Sequence, residues 1–117
     1  MSEAPDRSKQ ARTAAREGEG STACGYIIAD VTVTDEAQMK VYREWSTRAM
    51  QEFGAEVLVR GGRIEPLEGD WNPQRIVVLK FKDLATAQAY YRSETYTHAR
   101  TLREGAGSIR MLAVEGV

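Results

Sequence analysis

The sequence has little of the chemistry that metal, redox and covalent-catalysis sites require. Its 117 residues include one cysteine, Cys24, and one histidine, His98. A single cysteine excludes a disulfide within the chain, and one cysteine with one histidine argues against a structural zinc site. Metal-ligand spacings, phosphate-binding loops and nucleophile–base motifs are also missing. We therefore predict no metal and no cofactor.

Strong net charge and long apolar runs are absent as well. The formal net charge is −1, which gives no electrostatic basis for binding nucleic acid or an anionic membrane. No apolar run approaches the roughly 20 residues that a membrane-spanning helix needs. These absences predict a cytoplasmic protein with neither nucleic acid nor membrane as a partner.

The first residues lack large apolar side chains after Met1. Such a stretch cannot repay the entropy that ordering costs. It also lacks the apolar core of a secretory signal, and Asp6, Glu17 and Glu19 argue against an organelle transit peptide. We predict a flexible leader over residues 1–24 and one domain over residues 25–117.

The rest of the chain shows clear strand and helix periodicity. Strands are predicted at Tyr26–Val33, Glu56–Leu67, Arg75–Lys82 and Ser108–Val114, and helices at Glu36–Phe53, from Asp83 to Tyr91, and from Ser93 toward Gly105. Asp35 is a predicted N-cap, with Gln38 completing a capping box. The order predicts an α+β, ferredoxin-like βαββαβ fold with an extra short helix before the last strand. Its antiparallel sheet would be covered by helices on one face.

The first hairpin strand carries two irregularities. Gly61-Gly62 predicts a bulge or a close approach of backbone, and Pro66 predicts a strand end at a sheet edge. The loop Glu68–Pro73 then lifts Asp70 and Trp71 to the tip of the hairpin.

The sheet face opposite the helices is predicted to be apolar. It would hold Ile28, Ile76 and Val78, together with either Leu112 and Val114 or Ile109 and Met111. A contiguous apolar face of this kind is unusual on a monomer. We therefore expect a homodimer in which two open sheet faces pair about a two-fold axis.

Several segments together match a known pattern. They are Gly25-Tyr26, Thr34-Asp35, Val59–Gly62, Glu68–Trp71, Arg75–Val78, Tyr91-x-Ser93-x-x-Tyr96 and Arg103–Ala106. With them, Gly25 to Gly116 resembles the domain of unknown function 1330 family of dimeric α+β barrels. The resemblance implies a ferredoxin-like homodimer and no assigned activity, although barrels of similar build include cofactor-free monooxygenases and isomerases. Lys80 and Tyr90 depart from the family pattern, which tends to have an acidic residue and a tryptophan there.

Arg60 and the loop tip are the first candidates for ligand contact. The Arg60 guanidinium offers a fork of donors for an anion or carbonyl group, beside glycines that expose backbone N–H groups. The alternative is a structural ion pair with Glu68 or Asp70. Asp70-Trp71 would cover a cleft with apolar area from Trp71, or Trp71 would instead pack at the dimer edge.

Three further groups are weaker, catalytic candidates. His98 titrates near neutral pH by default and would have Tyr96 and Arg103 in its neighbourhood, so it is a candidate general base. The alternative is a solvent-facing histidine. Asp30 and Lys80 would share the open face and pair there with shifted pKa values, or form a purely structural pair.

These observations favour a protein that binds a small molecule. The predicted pocket lies between sheet, short helix and loop tip, with ligand contacts from Arg60, Asp70, Trp71, Tyr96 and Arg103. Two alternatives stay open. One is a cofactor-independent monooxygenase or isomerase acting on a small aromatic or carbonyl compound, and the other is a dimeric interaction module without a ligand. A pocket lined by Arg60, Asp30 or His98 would favour binding or catalysis.

Overall fold

The structure, a computed structural model, describes residues 23–117. Its elements in chain order are β1 (Gly25–Val33), α1 (Glu36–Glu52), β2 (Glu56–Arg60), β3 (Arg75–Phe81), α2 (Leu84–Arg92), α3 (Glu94–Leu102) and β4 (Gly107–Glu115). The predicted leader lies outside the described residues up to residue 22. Within the described part, no helix is long and apolar enough to cross a bilayer.

The sheet has the strand order β2-β3-β1-β4, and each neighbouring pair is antiparallel. The two inner strands, β1 and β3, are the first and third in the chain. β1 is connected to β2 through α1, and β3 is connected to β4 through α2 and α3. This is the ferredoxin-like arrangement, so the predicted fold is confirmed. The extra short helix is also present, because α3 begins after Ser93, whose hydroxyl accepts from the Tyr96 amide.

The alternation of β1 separates a helix-covered face from an open face. Ile27, Ala29 and Val31 are at most 7% exposed and point toward the helices. Leu79 and Phe81 of β3 join them at 2% and 1% exposure. The covered face is therefore the one that the sequence predicts.

The register of β4 decides which of its residues lie on the open face. Leu112 pairs with Ile28 and Val114 pairs with Tyr26, so both lie on the open face, where they are 57% and 44% exposed. Ile109 and Met111 pack against the core on the covered side. Of the two alternatives, the first is correct.

The predicted second strand is too long. β2 ends at Arg60, and residues 61–74 form a loop rather than the strand predicted up to Leu67. Gly61 turns the chain away from the ladder with a φ of +70°, although its N–H still donates to the Ile76 carbonyl at 3.1 Å. The bulge lies between Val57 and Val59 instead of at the glycine pair.

Gln38 does not complete the predicted capping box. Asp35 caps α1, since its carboxylate accepts from the Gln38 amide at 3.1 Å. The Gln38 side chain donates instead to the carbonyls of Leu102 and Glu104, at 3.0 and 2.6 Å. It therefore fixes the start of α1 against the end of α3, because those carbonyls would otherwise lack an intrahelical partner.

Candidate functional site

A cavity of about 60 Å³ lies between α1 and the covered face of the sheet. Its walls are mostly apolar, with side chains from all of the strands and from α1. The apolar lining comprises Ile27, Ala29, Val31, Met39, Met50, Val77, Leu79, Ile109 and Met111. We call this space the α1 cavity. The helix-covered face is therefore not packed solid.

Three arginines surround the opening of the α1 cavity. Arg43, Arg60 and Arg75 line the cavity, and the same three line a wider depression of about 480 Å³ outside it. Because they border both spaces, their side chains form the boundary between apolar interior and solvent. We call them the arginine rim. Lys40 and Glu44 line the outer depression only.

The register of the strands determines on which face of the sheet Arg60 and Arg75 lie. Arg75 pairs with Val31 and Arg60 pairs with Val77, so both arginines belong to the covered face. Gly61 makes room for one of them: a Cβ on Gly61 would collide with the Arg75 guanidinium. The positive φ of Gly61 favours glycine at this position, and any other residue would displace the end of the Arg75 side chain.

The rim arginines differ in their partners. Arg43 forms an ion pair with Glu36, two helical turns earlier in α1. Within residues 23–117, Arg60 and Arg75 make no ion pair and no side-chain hydrogen bond. The alternative of a structural pair between Arg60 and Glu68 or Asp70 is therefore wrong, because Arg60 is on the covered face and Asp70 lines the open side.

Buried tyrosines close the inner end of the α1 cavity. Tyr42 and Tyr90 line it, and the hydroxyls of Tyr42 and Tyr96 share a hydrogen bond of 2.6 Å. Burial raises the pKa of all three phenols above its ordinary value. They are neutral at physiological pH, so none of them is ready to act as a base.

Tyr96 and Arg103 lie behind this wall. Tyr96 has no exposed surface, and the Arg103 guanidinium carbon sits 5.3 Å from the ring centroid of Tyr42. Neither residue lines the α1 cavity. Their predicted ligand contacts would have to act through Tyr42, as support for its ring and hydroxyl.

The open face holds a separate polar group, which we call the Asp30 cluster. The Asp30 carboxylate accepts from the Trp71 indole N–H at 2.9 Å and from Arg110 Nη2 at 2.6 Å. These hydrogen bonds, that of Trp71 foremost, lower the pKa of Asp30 below its ordinary value. The cluster borders shallow depressions of about 510 and 340 Å³, both also lined by Asp70.

The predicted pairing of Asp30 with Lys80 is wrong. Asp30 lies opposite Ile76 on one side and Arg110 on the other, whereas Lys80 lies opposite Tyr26. Four residues along a strand separate the two positions by about 13 Å. Both are on the open face, as expected, but only Arg110 is within reach of the carboxylate.

His98 is on the outer side of α3. Its ring centroid is 4.4 Å from that of Trp45 in an edge-to-face arrangement, and the residue is exposed. Tyr96 is buried and His98 is not, so the neighbourhood predicted for His98 does not form. His98 is absent from the lining of the α1 cavity.

The predicted pocket between sheet, short helix and loop tip does not form either. Trp71 reaches Asp30 on the open face, whereas Tyr96 and Ala99 of α3 are buried on the covered face. The predicted ligand contacts therefore fall on opposite sides of one sheet. Arg60 alone among them lines the α1 cavity.

Arg43, Arg75 and Arg110 were missed by sequence reasoning, although two of them left a signal. Arg75 stands two and four residues before Val77 and Leu79, on the apolar face of its strand. Arg43 follows Met39 by four residues and precedes Ser46 by three, at the border of the apolar stripe of α1. A charge at an apolar-face position is a candidate for a site. Arg110 gave no such signal, because only register connects it to Asp30.

Acidic and metal-binding side chains do not gather anywhere in residues 23–117. That part of the chain has no group of three or more histidine, cysteine, aspartate or glutamate residues placed to hold a metal ion.

Comparisons with known proteins place the chain in a family and a fold. A family model described as "Domain of unknown function (DUF1330)" matches residues 24–117. No curated protein matches the chain. Among solved structures, a protein of unknown function from Rhodopseudomonas palustris is 15% identical with a TM-score of 0.67, covering 97% of this chain and 95% of its own.

Two further structures are more distant. A conserved protein of unknown function from Bacteroides thetaiotaomicron, named "Possible Oxidoreductase", is 9% identical with a TM-score of 0.54, covering 81% of this chain and 99% of its own. A "Putative antibiotic biosynthesis monooxygenase" from Nitrosomonas europaea is 17% identical with a TM-score of 0.50, covering 82% and 91%. At these identities the likeness shows the fold alone.

Proposed function

We propose that this chain, which belongs to the DUF1330 family, binds a small molecule in the α1 cavity. The observation that carries the proposal is the arginine rim, which sets unpaired charge at the opening of an apolar space. Ligand sites in proteins typically combine apolar walls with a few polar groups that fix orientation. The α1 cavity has both parts in one place.

The size of the α1 cavity limits what it can hold. About 60 Å³ is space for a short chain or a small branched group rather than for a large ring system. An apolar wall of this kind favours an apolar group over water. The ligand would therefore place a compact apolar part inside and its remaining atoms in the wider depression beyond the rim.

The lining favours binding over catalysis. It includes no carboxylate, histidine or cysteine, and its ionisable groups are the three rim arginines and two neutral tyrosines. A monooxygenase or isomerase that works without a cofactor needs a group able to take a proton from its substrate. The binding function is thus the better supported of the two.

The chain is proposed to act as a homodimer joined through its open faces. Val59, Leu112 and Val114 are 39–57% exposed on that face, with Ile28 and Val78 half-buried between them. Pairing two such faces would remove apolar surface from water without touching the α1 cavity, which lies on the other side of the sheet. This support comes from exposure and position, and the interaction module without a ligand would use the same face.

Methionine methyl groups offer a direct test of binding. Three of the four methionines, Met39, Met50 and Met111, line the α1 cavity, while Met1 lies outside the described residues. Protein labelled with ¹³C at the methionine methyls would be titrated with short-chain alcohols, amines and carboxylates and with single-ring aromatics. Saturable shifts of the three cavity methyls, with that of Met1 unmoved, are expected for at least one class.

A filled cavity provides the matched control. Ser46 lines the α1 cavity and is 3% exposed, so Ser46→Leu should occupy the space and abolish the shifts. Val41 is 43% exposed on the same helix, so Val41→Leu adds a methylene without entering the cavity and should leave binding intact. If no compound class moves the cavity methyls of the folded protein, the proposal is wrong.

A further inference from the structure

The arginine rim carries more positive charge than its surroundings compensate. Arg43, Arg60, Arg75 and Lys40 border the outer depression, against the single carboxylate of Glu44. Glu36 adds a second carboxylate through its pair with Arg43. The whole chain has a net charge of −1, so this concentration of cations is local. A bound anion would relieve the repulsion between them.

Arg60 and Arg75 have guanidinium donors to spare. Arg60 and Arg75 have no ion pair or side-chain hydrogen bond within residues 23–117. Arg60 is exposed and Arg75 is half-buried. Each guanidinium presents a planar fork of N–H donors, which matches the two oxygens of a carboxylate.

The backbone at the rim is shaped around the guanidinium of Arg75. Gly61 leaves open the volume that any side chain would take from it. The Gly61 N–H is already used by the Ile76 carbonyl, so the glycine supplies space rather than a donor. Of the two glycine amides predicted to help hold an anion, that of Gly61 is therefore already used, and the guanidinium of Arg75 is the donor group that lies against it.

Resting on the proposed function, we infer that the ligand is a small organic monocarboxylate. Its carboxylate lies between Arg60 and Arg75, and its compact apolar body enters the α1 cavity among Met39, Met50 and Met111. A planar head with two oxygens suits this opening, because the free guanidiniums of Arg60 and Arg75 each present a flat fork of donors, and Thr47, which lines both spaces, adds a single hydroxyl. Arg43, held by Glu36, would add long-range attraction.

The test compares three probes that share one five-carbon tail. Pentanoate, 1-pentanol and pentyl phosphate would be titrated into the full chain, with calorimetry for affinity and the methionine methyls for location. Pentanoate is expected to bind about tenfold or more tightly than 1-pentanol, since charged hydrogen bonds are the stronger class. Its affinity should fall with added salt.

Arginine variants assign the contact. Arg75→Gln and Arg60→Gln should each weaken pentanoate about tenfold while leaving 1-pentanol unchanged. Arg63→Gln is the matched control, because Arg63 is 87% exposed in the loop that connects Arg60 to Arg75 and lines neither space. Arg75→Lys keeps the charge and should recover only part of the affinity, because an ammonium cannot copy the fork. Unchanged melting of each variant confirms its fold.

The possible outcomes separate this inference from the proposed function. Equal binding of pentanoate and 1-pentanol, unaffected by Arg75→Gln, would overturn the carboxylate and leave cavity binding standing. Tighter binding of pentyl phosphate than of pentanoate would also overturn it, in favour of a phosphate ester. If Arg75→Gln fails to fold, Arg60→Gln and the salt dependence still decide the result. If neither these probes nor the wider compound set shifts the methionine methyls of the cavity, the carboxylate inference and the proposed function are both wrong.

Discussion

The two faces of the sheet handle charge in opposite ways. On the open face, Oδ2 of Asp30 accepts hydrogen bonds from both Trp71 and Arg110. On the covered face, Arg60 and Arg75 border an apolar cavity without a partner within residues 23–117. Satisfied polar groups fix a structure, whereas unsatisfied ones at an opening are available to a ligand. The contrast is consistent with the two proposals made above, association through the open face and ligand binding at the covered face.

The largest effect should come from a charge on the open face. Val78→Asp would bury an unpaired carboxylate in the proposed interface, and we expect dimerisation to weaken by at least about 3 kcal/mol, roughly a hundredfold. Analytical ultracentrifugation would measure it. Val41→Asp, at a valine 43% exposed on α1, should leave the dimer intact. A Val78→Asp dimer of unchanged strength would remove the open face from the interface.

A smaller effect, on the free energy of unfolding, is expected from the buried tyrosines behind the α1 cavity. Tyr96→Phe removes one of the two hydroxyls that share the buried 2.6 Å hydrogen bond and leaves the Tyr42 hydroxyl without it. The free energy of unfolding should fall by about 1–3 kcal/mol, the cost of a buried unsatisfied group. Tyr91→Phe is the control, since the Tyr91 hydroxyl accepts from Arg100 at a less buried position. Equal losses of stability in both variants would show that the Tyr42–Tyr96 hydrogen bond contributes no more than the one between Arg100 and Tyr91.

Alanine substitutions at the adjacent residues Gly61 and Gly62 are expected to differ in their effect on stability. Gly61→Ala would adopt a strained positive φ and collide with Arg75, so we expect a loss of about 1–2 kcal/mol in stability. Gly62→Ala meets nothing within 4 Å and should change stability by less than about 0.5 kcal/mol. Urea unfolding would measure both. Displacing Arg75 should also weaken pentanoate in Gly61→Ala alone, and equal behaviour of the two variants would contradict the packing of Arg75 against Gly61.

Periodicity and caps were enough to predict the fold. Alternation along β1 gave the right covered face, and Asp35 and Ser93 mark the starts of α1 and α3. The length of β2 was overestimated because Glu56–Leu67 has strand-like residues on both sides of Gly61. Where a ladder stops depends on its partner strand, and β3 begins only at Arg75.

The site could be predicted only in part, because it depends on register and depth. The sequence tells which face Asp30 occupies, but not that Arg110 rather than Lys80 stands beside it. Arg60 was identified by its chemistry, whereas its neighbours Arg43 and Arg75 come from other elements and meet it only in three dimensions. A cavity is a property of packing, which residue types alone do not specify.

The smallest expected effect is the pH dependence that Asp30 gives to the open face. Its pKa in the folded protein is lowered by the hydrogen bonds from Trp71 and Arg110. A lowered folded pKa means that the cluster contributes stability at pH values above the unfolded pKa of about 3.9 and loses it as pH falls through the folded pKa. Trp71 reports this directly, since its indole donates to the carboxylate. The chain has two tryptophans, so a Trp45→Phe variant retains Trp71 alone. The tryptophan fluorescence of that variant should change with pH, with a midpoint below pH 3.9. Asp30→Asn should abolish the change, and a midpoint at or above the unfolded value would show that the cluster does not hold the carboxylate in its charged form.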